Sequence, residues 1–453
     1  MAGLFALSIN PQIYRAKFLE NLFWGTFYQQ HLGEDYAGLS TCHPGREEKI
    51  KIRTHRGLFR PAFSKDLEGL EGTEGIGYCG VVREPFFVDS RIGKFSLCFS
   101  GNVINRPQLI EQFKDSGHTF ERADDVETIA KLIGQGDNVI DGIKKMTQKI
   151  QGAYTLLILT EEGIYAVRSP NAHWPLVIGL KEGAVAVASG SAGFNNFGFK
   201  LDRDLKPGET IFLKDGCYET KEIMPAEKIQ ICSFLWVYIA FPNEIIEGVS
   251  VSLVRKRLGA SLARRDIEKG FIPDIVIPVP DSGRFHAIGY HQEFCRQMNE
   301  GKIKRAPFYD ETLFKYPYAG RSFTPQTQEA RDQEAQIKLL EAGEDYRGKT
   351  AVVCDDSIVR GTQTQTNLVP KLREAGIKEI HFRISNPELR SHCPWGKTIK
   401  KGETLVSRMP LRKERIRFLS VETLEYNTIE DLVAAIGLPR EQLCVDCSLD
   451  ISD

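Results

Sequence analysis

The stretch TAVVCDDSIVRGTQT, Thr350 to Thr364, constrains this chain more than any other. Thr350 to Cys354 is an apolar run of strand length, Asp355 and Asp356 close it, and a small, polar loop follows. In a parallel α/β sheet the ligand crevice lies beyond the carboxyl ends of the strands, so a strand ending in two carboxylates aims them at a ligand. Gly361 lets backbone come close, loop N–H groups converge on an anion, and the hydroxyls of Ser357, Thr362 and Thr364 add donors. Paired acids beside an anion cradle suit a molecule carrying both hydroxyls and phosphate, such as a ribose phosphate. The two acids alone would also fit a strand-to-helix turn with a capping Asp; the whole string favours the cradle.

A chain of 453 residues, 42% hydrophobic, is long enough for two or three domains with full cores. Its 59 Lys and Arg against 60 Asp and Glu leave a net charge of -1, so no basic excess points to nucleic acid. No apolar run is long enough to suggest a membrane span, and the first residues lack the basic and apolar regions of a signal peptide. The expected location is cytoplasmic. Ten irregularly spaced Cys then read as thiols or metal ligands rather than a disulfide framework.

From Met1 to about Gln230, short strand-like runs (Thr155–Leu159, Ile164–Val167, Pro175–Ile178, Ala184–Ala188) alternate with turns and a few amphipathic helices. One helix is expected over Asp125–Ile133, with Asp124 or Asp125 as its N-cap. This order suggests an α+β layered sandwich for residues 1–230. From 231 to 453 the pattern turns to α/β: a helix from Val251 to about Lys269, a strand Asp274–Val279, the loop Pro280–Arg284, and a helix from Phe285. The strand ending at Cys354, a helix through Leu372 closed by Gly376, and a strand Glu379–Ile384 follow. Pro370 places the start of that helix no earlier than about Thr366. Strand–loop–helix in this order implies a parallel sheet covered on both faces.

Two more segments fit a phosphorylated ligand. PVPDSGR follows a buried-type strand, although it would also serve as an ordinary βα turn. Leu313 to Gln333 is poor in apolar anchors and holds Lys315, Arg321 and Arg331, which suits a basic loop closing over a polyanion.

VVCDDSIVRGTQT resembles the phosphoribosyl-diphosphate (PRPP) motif of type I phosphoribosyltransferases, and its wording DDSIVRGT resembles that of glutamine phosphoribosyldiphosphate amidotransferases. The resemblance implies an N-terminal nucleophile-hydrolase-like αββα sandwich followed by a type I phosphoribosyltransferase domain. It implies that Asp355 and Asp356 orient the ribose and that Ser357, Ile358, Val359, Arg360, Gly361, Thr362, Gln363 and Thr364 bind PRPP. Asp281 and Ser282 match the family's diphosphate loop. Lys315, Tyr318, Gly320, Arg321 and Phe323 match its catalytic loop, and Arg331 and Lys338 fall where it has basic residues; Pro317 and Gln336 stand where it has Arg. Mg²⁺ would bridge diphosphate and ribose, held more by substrate than by side chains.

Cys444 and Cys447 form a CxxC that by itself reads equally as a redox pair, half a zinc site or chance. Cys232 and Cys393 occupy contexts similar to those of cluster ligands in the family's iron–sulfur class, which implies a structural [4Fe–4S] cluster; four thiolates also suit zinc.

The glutaminase half departs from the family. There an N-terminal Cys attacks the glutamine amide with its own α-amino group as base; here Ala2 stands in its place. The family's Gly-Ile-Gly-His-x-Arg-Tyr, whose Arg holds the glutamine carboxylate, is Gly75 to Val81, with Tyr78 for His and Gly80 for Arg. Its His-Asn-Gly-Asn oxyanion segment is Phe99, Ser100, Gly101, Asn102. Asp125 still matches the acid that holds the glutamine amino group. The chain reads as a phosphoribosyltransferase that uses PRPP with ammonia or another amine acceptor, bound directly or delivered by a partner protein. Alternatives are a non-catalytic PRPP or nucleotide sensor, and a glutamine-dependent enzyme carrying a Cys-to-Ala change. Family analogy implies a homo-oligomer.

Overall fold

The computed structural model describes residues 1–14, 17–316, 339–341, 346–396 and 401–450. Contacts divide the chain into two units, one of Met1–Cys232 with short later stretches at Glu244–Gly248 and from Pro394, the other taking the remainder from Ser233.

Two large sheets of the first unit are built from β1 (Gly3–Ile9), β2 (Tyr36–Cys42), β3 (Ile50–Arg56), β4 (Glu74–Gly80), β5 (Phe86–Ser90), β6 (Gly93–Val103), β7 (Gly152–Thr160), β8 (Ile164–Arg168), β9 (Val177–Lys181), β10 (Ala184–Ala188), β11 (Lys200–Asp204), β12 (Glu209–Lys214) and β13 (Cys217–Ile223). They form a sheet in the order β11-β9-β10-β1-β4-β2-β3 and a second in the order β13-β12-β8-β7-β6-β5. In β1, Leu4 and Ala6 face a core shared with Leu157 and Leu159 of β7, so this layer lies between the sheets. Phe5 and Leu7 face the opposite way, toward α1 (Phe18–Phe27). Likewise Leu156 and Ile158 of β7 meet α2 (Asp125–Ile133) and α3 (Val139–Lys149). Burial on both faces makes residues 4–7 and 156–159 continuously apolar rather than alternating, and gives an α-β-β-α stack. The Asp124 carboxylate accepts from the Glu127 N–H at 3.0 Å and caps α2. The third expected strand is shifted to Val177–Lys181, two residues past Pro175.

The second unit is built on five parallel strands: β14 (Ile275–Pro278), β15 (Phe308–Tyr309), β16 (Thr350–Asp355), β17 (Glu379–Ile384) and β18 (Thr423–Tyr426), in the order β15-β14-β16-β17-β18. β16 is central. Its Ala351 and Val353 pack with Ile277, Leu372 and Phe382 on one face. Val352 and Cys354 pack with Leu262, Tyr290 and Phe294 on the other. Those last residues come from α4 (Val251–Glu268) and α5 (Arg284–Asn299). The two helices touch backbone to backbone at Gly289, where an added Cβ would lie 2.0 Å from the Lys256 carbonyl oxygen.

One expectation is corrected. The helix after the β16 loop runs over 362–374, several residues earlier than Pro370 seemed to allow. A π-helical turn at Thr364–Leu368 precedes Val369–Glu374. The wider i→i+5 turn makes room for the proline ring, whose missing N–H then costs no regular ladder bond.

Candidate active site

At the carboxyl end of β16, two acids are fixed by their own backbone. The Asp355 carbonyl accepts from the Ser385 N–H at 3.0 Å and the Asp356 carbonyl from the Asn386 N–H at 2.8 Å, which continues the ladder past β17. Asp355 Oδ1 accepts from the Asp356 N–H at 2.8 Å and from Ser282 Oγ at 3.4 Å. Ser357 Oγ donates to Asp356 Oδ2 at 2.6 Å. Burial, and then the Asp356 charge beside it, push the Asp355 carboxyl well above the usual carboxylate range. The pair carries more negative charge than its surroundings tolerate, and hydroxyl donors or a cation would relieve it.

The loop beyond is anchored from below. Ile358 is buried in the same core as Leu405 and Leu419. The Val359 carbonyl accepts from the Leu405 N–H at 2.6 Å. Gly361 has φ +76, and a Cβ there would meet Leu405 Cδ2 at 3.1 Å, so both conformation and space favour glycine. Arg360 is ion-paired with Glu403 at 2.7 Å. The Gln365 N–H donates to the Gly361 carbonyl at 3.0 Å, Thr366 Oγ1 to the Thr362 carbonyl at 2.9 Å, and Asn367 Nδ2 to Gln363 Oε1 at 2.8 Å. Thr364 is buried in the first turns. The loop therefore runs straight into a helix N-terminus, which favours a phosphate.

The loop after β14 meets the acids from the side. The Val279 N–H donates to the Cys354 carbonyl at 2.9 Å and the Gly283 N–H to the Val279 carbonyl at 2.8 Å. Asp281, joined to Pro280 by a cis peptide bond, lies 3.6 Å from Lys315 Nζ and 3.7 Å from Arg284 NH1. Arg284 also forms a two-pronged pair with Glu311 at 2.8 and 2.9 Å. Contacts thus link Lys315 to Asp281 and Ser282 to Asp355. Tyr318, Gly320, Arg321, Phe323, Arg331 and Lys338 lie outside the described residues. Arg284, Glu311 and Glu403 escaped sequence reasoning: Arg284 stood in the recognised loop, but nothing local announced its acidic partners.

In the first unit the Ala2 N–H donates to Ser100 Oγ at 2.8 Å, with both residues buried. Tyr78 and Gly80 share a face of β4, and a Cβ at Gly80 would lie 2.0 Å from the Tyr78 hydroxyl. The phenol fills the space a longer residue 80 would need. Burial pushes both the Tyr78 phenol and the neighbouring Glu84 carboxyl well above their ordinary values. Glu84 Oε2 accepts from the Phe99 N–H at 2.6 Å, and Gly101 extends β6 opposite Tyr154. Asp125, buried at the start of α2, is ion-paired with Arg106 at 3.0 Å. No local pattern singles out Arg106; a distance of 19 residues separates it from its partner.

Cys393, Cys444 and Cys447 belong to the second unit, Cys232 to the first. The Arg390 and Ser391 N–H groups donate to the Cys447 carbonyl at 2.8 and 3.2 Å, and the Ser233 N–H to the Cys444 carbonyl at 3.2 Å. Burial, then the nearby Cys393, push the Cys447 thiol up to about 12; burial also raises Cys444. Among the described residues no group of three or more His, Cys, Asp and Glu is arranged to hold a metal ion. In donor chemistry the thiols suit a soft metal centre.

A parallel sheet whose central strand ends in an acid pair and an anion loop defines a phosphoribosyltransferase, and the α-β-β-α unit is of the N-terminal nucleophile-hydrolase type. A glutamine amidotransferase domain model matches residues 82–196. The chain is 33% identical to the amidophosphoribosyltransferase of Methanothermobacter thermautotrophicus over 445 residues, covering 94% of this chain and 89% of that protein. With that of Methanocaldococcus jannaschii it shares 32% over 476 residues, covering 99% and 96%. The solved glutamine PRPP amidotransferase from B. subtilis, complexed with ADP and GMP, superposes with TM-score 0.84 at 28% identity, covering 100% of this chain and 99% of that one. A second solved structure, described as the allosteric regulatory enzyme of purine biosynthesis, gives 0.86 at 29%, covering 98% and 94%. The chain belongs to the amidophosphoribosyltransferase family.

Proposed function

We propose that this chain is an amidophosphoribosyltransferase-type enzyme that displaces diphosphate from PRPP with ammonia or another amine and does not hydrolyse glutamine. The observation that carries this reading is the contrast between the two units. The Asp355–Asp356 loop is complete and anchored, whereas the glutamine side has Ala2 for a nucleophile, Tyr78 over Gly80, and Asp125 already neutralised by Arg106.

In this reading the Asp355 and Asp356 carboxylates accept from the ribose hydroxyls and hold the anomeric carbon in line with the acceptor. The amides from Ser357 to Gln363, with the helix N-terminus behind them, bind the 5-phosphate. Lys315 and, by resemblance, Arg321 take up charge on the departing diphosphate. The amine loses a proton as its C–N bond forms and the C–O bond to diphosphate breaks. Mg²⁺, carried mainly by substrate oxygens, would supply further charge for the leaving group, and the crowded Asp355 carboxyl fits a place near it. By resemblance to the family's iron–sulfur class, and not by an arrangement seen among the described residues, Cys232, Cys393, Cys444 and Cys447 would hold a [4Fe–4S] cluster with a structural role. By analogy with the family the enzyme works as a homo-oligomer, with ammonia free in solution or supplied by a partner.

Anaerobically purified protein, given PRPP and Mg²⁺, is assayed for diphosphate release with ammonia, with glutamine and with neither. Release with ammonia alone is expected. Release with glutamine would sink the claim that the first unit is inactive, and no release with any amine would leave a PRPP sensor as the better reading.

A further inference from the structure

The diphosphate-binding side of the candidate site contains a negative charge where an anion must bind. Asp281 sits in the loop after β14, and its two oxygens each face a cation: Oδ2 lies 3.6 Å from Lys315 Nζ and Oδ1 lies 3.7 Å from Arg284 NH1. An unneutralised carboxylate there would repel a polyanion. The two cations are held differently. Arg284 is locked by Glu311 through two bonds of 2.8 and 2.9 Å, and Tyr309 donates to the same Glu311 oxygen at 3.2 Å. Lys315 pairs only loosely with Asp281, both side chains being substantially exposed at 39% and 58%. Exposed pairs of this geometry are weak and exchange partners readily.

We propose that Asp281 is the resting counter-ion of Lys315, that arriving diphosphate takes the lysine from it, and that Arg284, positioned by Glu311, stays behind to neutralise Asp281. Arg284 and Glu311 are then positioning residues for diphosphate. The arrangement sets the grip on the leaving group: Lys315 holds diphosphate while it is bound, and Asp281 reclaims the lysine as it departs. This inference rests on the phosphoribosyltransferase reading above.

The test is calorimetric binding of inorganic diphosphate and of PRPP, each with Mg²⁺, to the full-length chain and to the variants D281N, R284Q and E311Q, alongside KM and kcat for PRPP. D281N is expected to bind diphosphate several-fold more tightly, because Lys315 no longer has to leave a partner, and to turn over more slowly as product release slows. R284Q and E311Q are expected to weaken diphosphate binding and raise the KM for PRPP several-fold, with kcat little changed, and R284Q to show a shallower salt dependence because salt screens the repulsion from Asp281. D281N rescues R284Q in the double variant, since the repelling charge is gone. Weaker diphosphate binding by D281N would overturn the proposal, because Asp281 would then be a ligand of the bound complex. Unchanged binding in R284Q and E311Q would overturn it as well, while leaving the phosphoribosyltransferase reading intact. A wild-type chain that binds neither compound would overturn both.

Discussion

Placing a thiol at position 2 tests whether the proposed inactivity of the glutamine side rests on one residue or on several. The perturbation is Ala2→Cys, produced so that residue 2 is the exposed N-terminus, with and without Arg106→Gln. By family resemblance Asp125 would receive the glutamine amino group, but here it is paired with Arg106 at 3.0 Å, with side-chain exposures of 5% for Asp125 and 34% for Arg106. Unit charges about 4 Å apart attract by roughly 4 kcal/mol at an effective dielectric of ~20. Solvent on the arginine reduces this to about 2 kcal/mol. An incoming ammonium must displace that partner, which weakens glutamine binding ~30-fold at about 1.4 kcal/mol per decade. A2C alone is therefore expected to release no measurable glutamate. A2C/R106Q is expected to bind glutamine about 30-fold more tightly than A2C by calorimetry, and still poorly, because Tyr78 occupies the room above Gly80. Removing Arg106 takes the ion-pair partner from a buried carboxylate, at a cost of about 3 kcal/mol, so the double variant should also melt several degrees lower. If A2C alone hydrolyses glutamine, or R106Q changes neither binding nor melting temperature, the reasoning is refuted.

Asp355→Asn is expected to abolish PRPP-dependent diphosphate release while raising the melting temperature at neutral pH. The folded carboxyl is raised by burial and by Asp356. Its contribution is therefore fully present below its unfolded pKa and is lost as pH rises through the folded value, a loss the asparagine escapes. Melting curves from pH 4 to 8 should converge at the acid end; parallel curves would count against the charge argument. Ile358→Ala removes the anchor of the phosphate loop and is expected to cost about 2–4 kcal/mol while raising the KM for PRPP, measured by denaturant unfolding and steady-state kinetics. Cys447→Ser is expected to remove the visible absorbance of anaerobically reconstituted protein and to make the C-terminal tail more protease-sensitive, whereas full iron and sulfide content in the variant would exclude Cys447 as a ligand.

Much of this molecule was legible in the chain because the relevant demands are local. A buried parallel strand needs a short continuous apolar run, so β16 and β17 were readable to within a residue. A capped amphipathic helix needs an acid before its first turn, so Asp124 and α2 were readable too. The helix after the phosphate loop was misjudged because proline was weighed against a regular α ladder, and a π turn at Thr364–Leu368 stands there instead.

The sequence by itself determined that residue 2 has no nucleophile, that two carboxylates end a buried strand, and that a glycine follows where the loop turns. Identity and spacing carry those facts whatever the rest of the chain does. Only the tertiary structure decided that Arg106 neutralises Asp125, that Tyr78 closes the space at Gly80, and that Arg284 and Lys315 share Asp281. Such pairings depend on strand register, helix placement and the few ångströms over which charges and hard surfaces act, and none of these is contained in neighbouring residues.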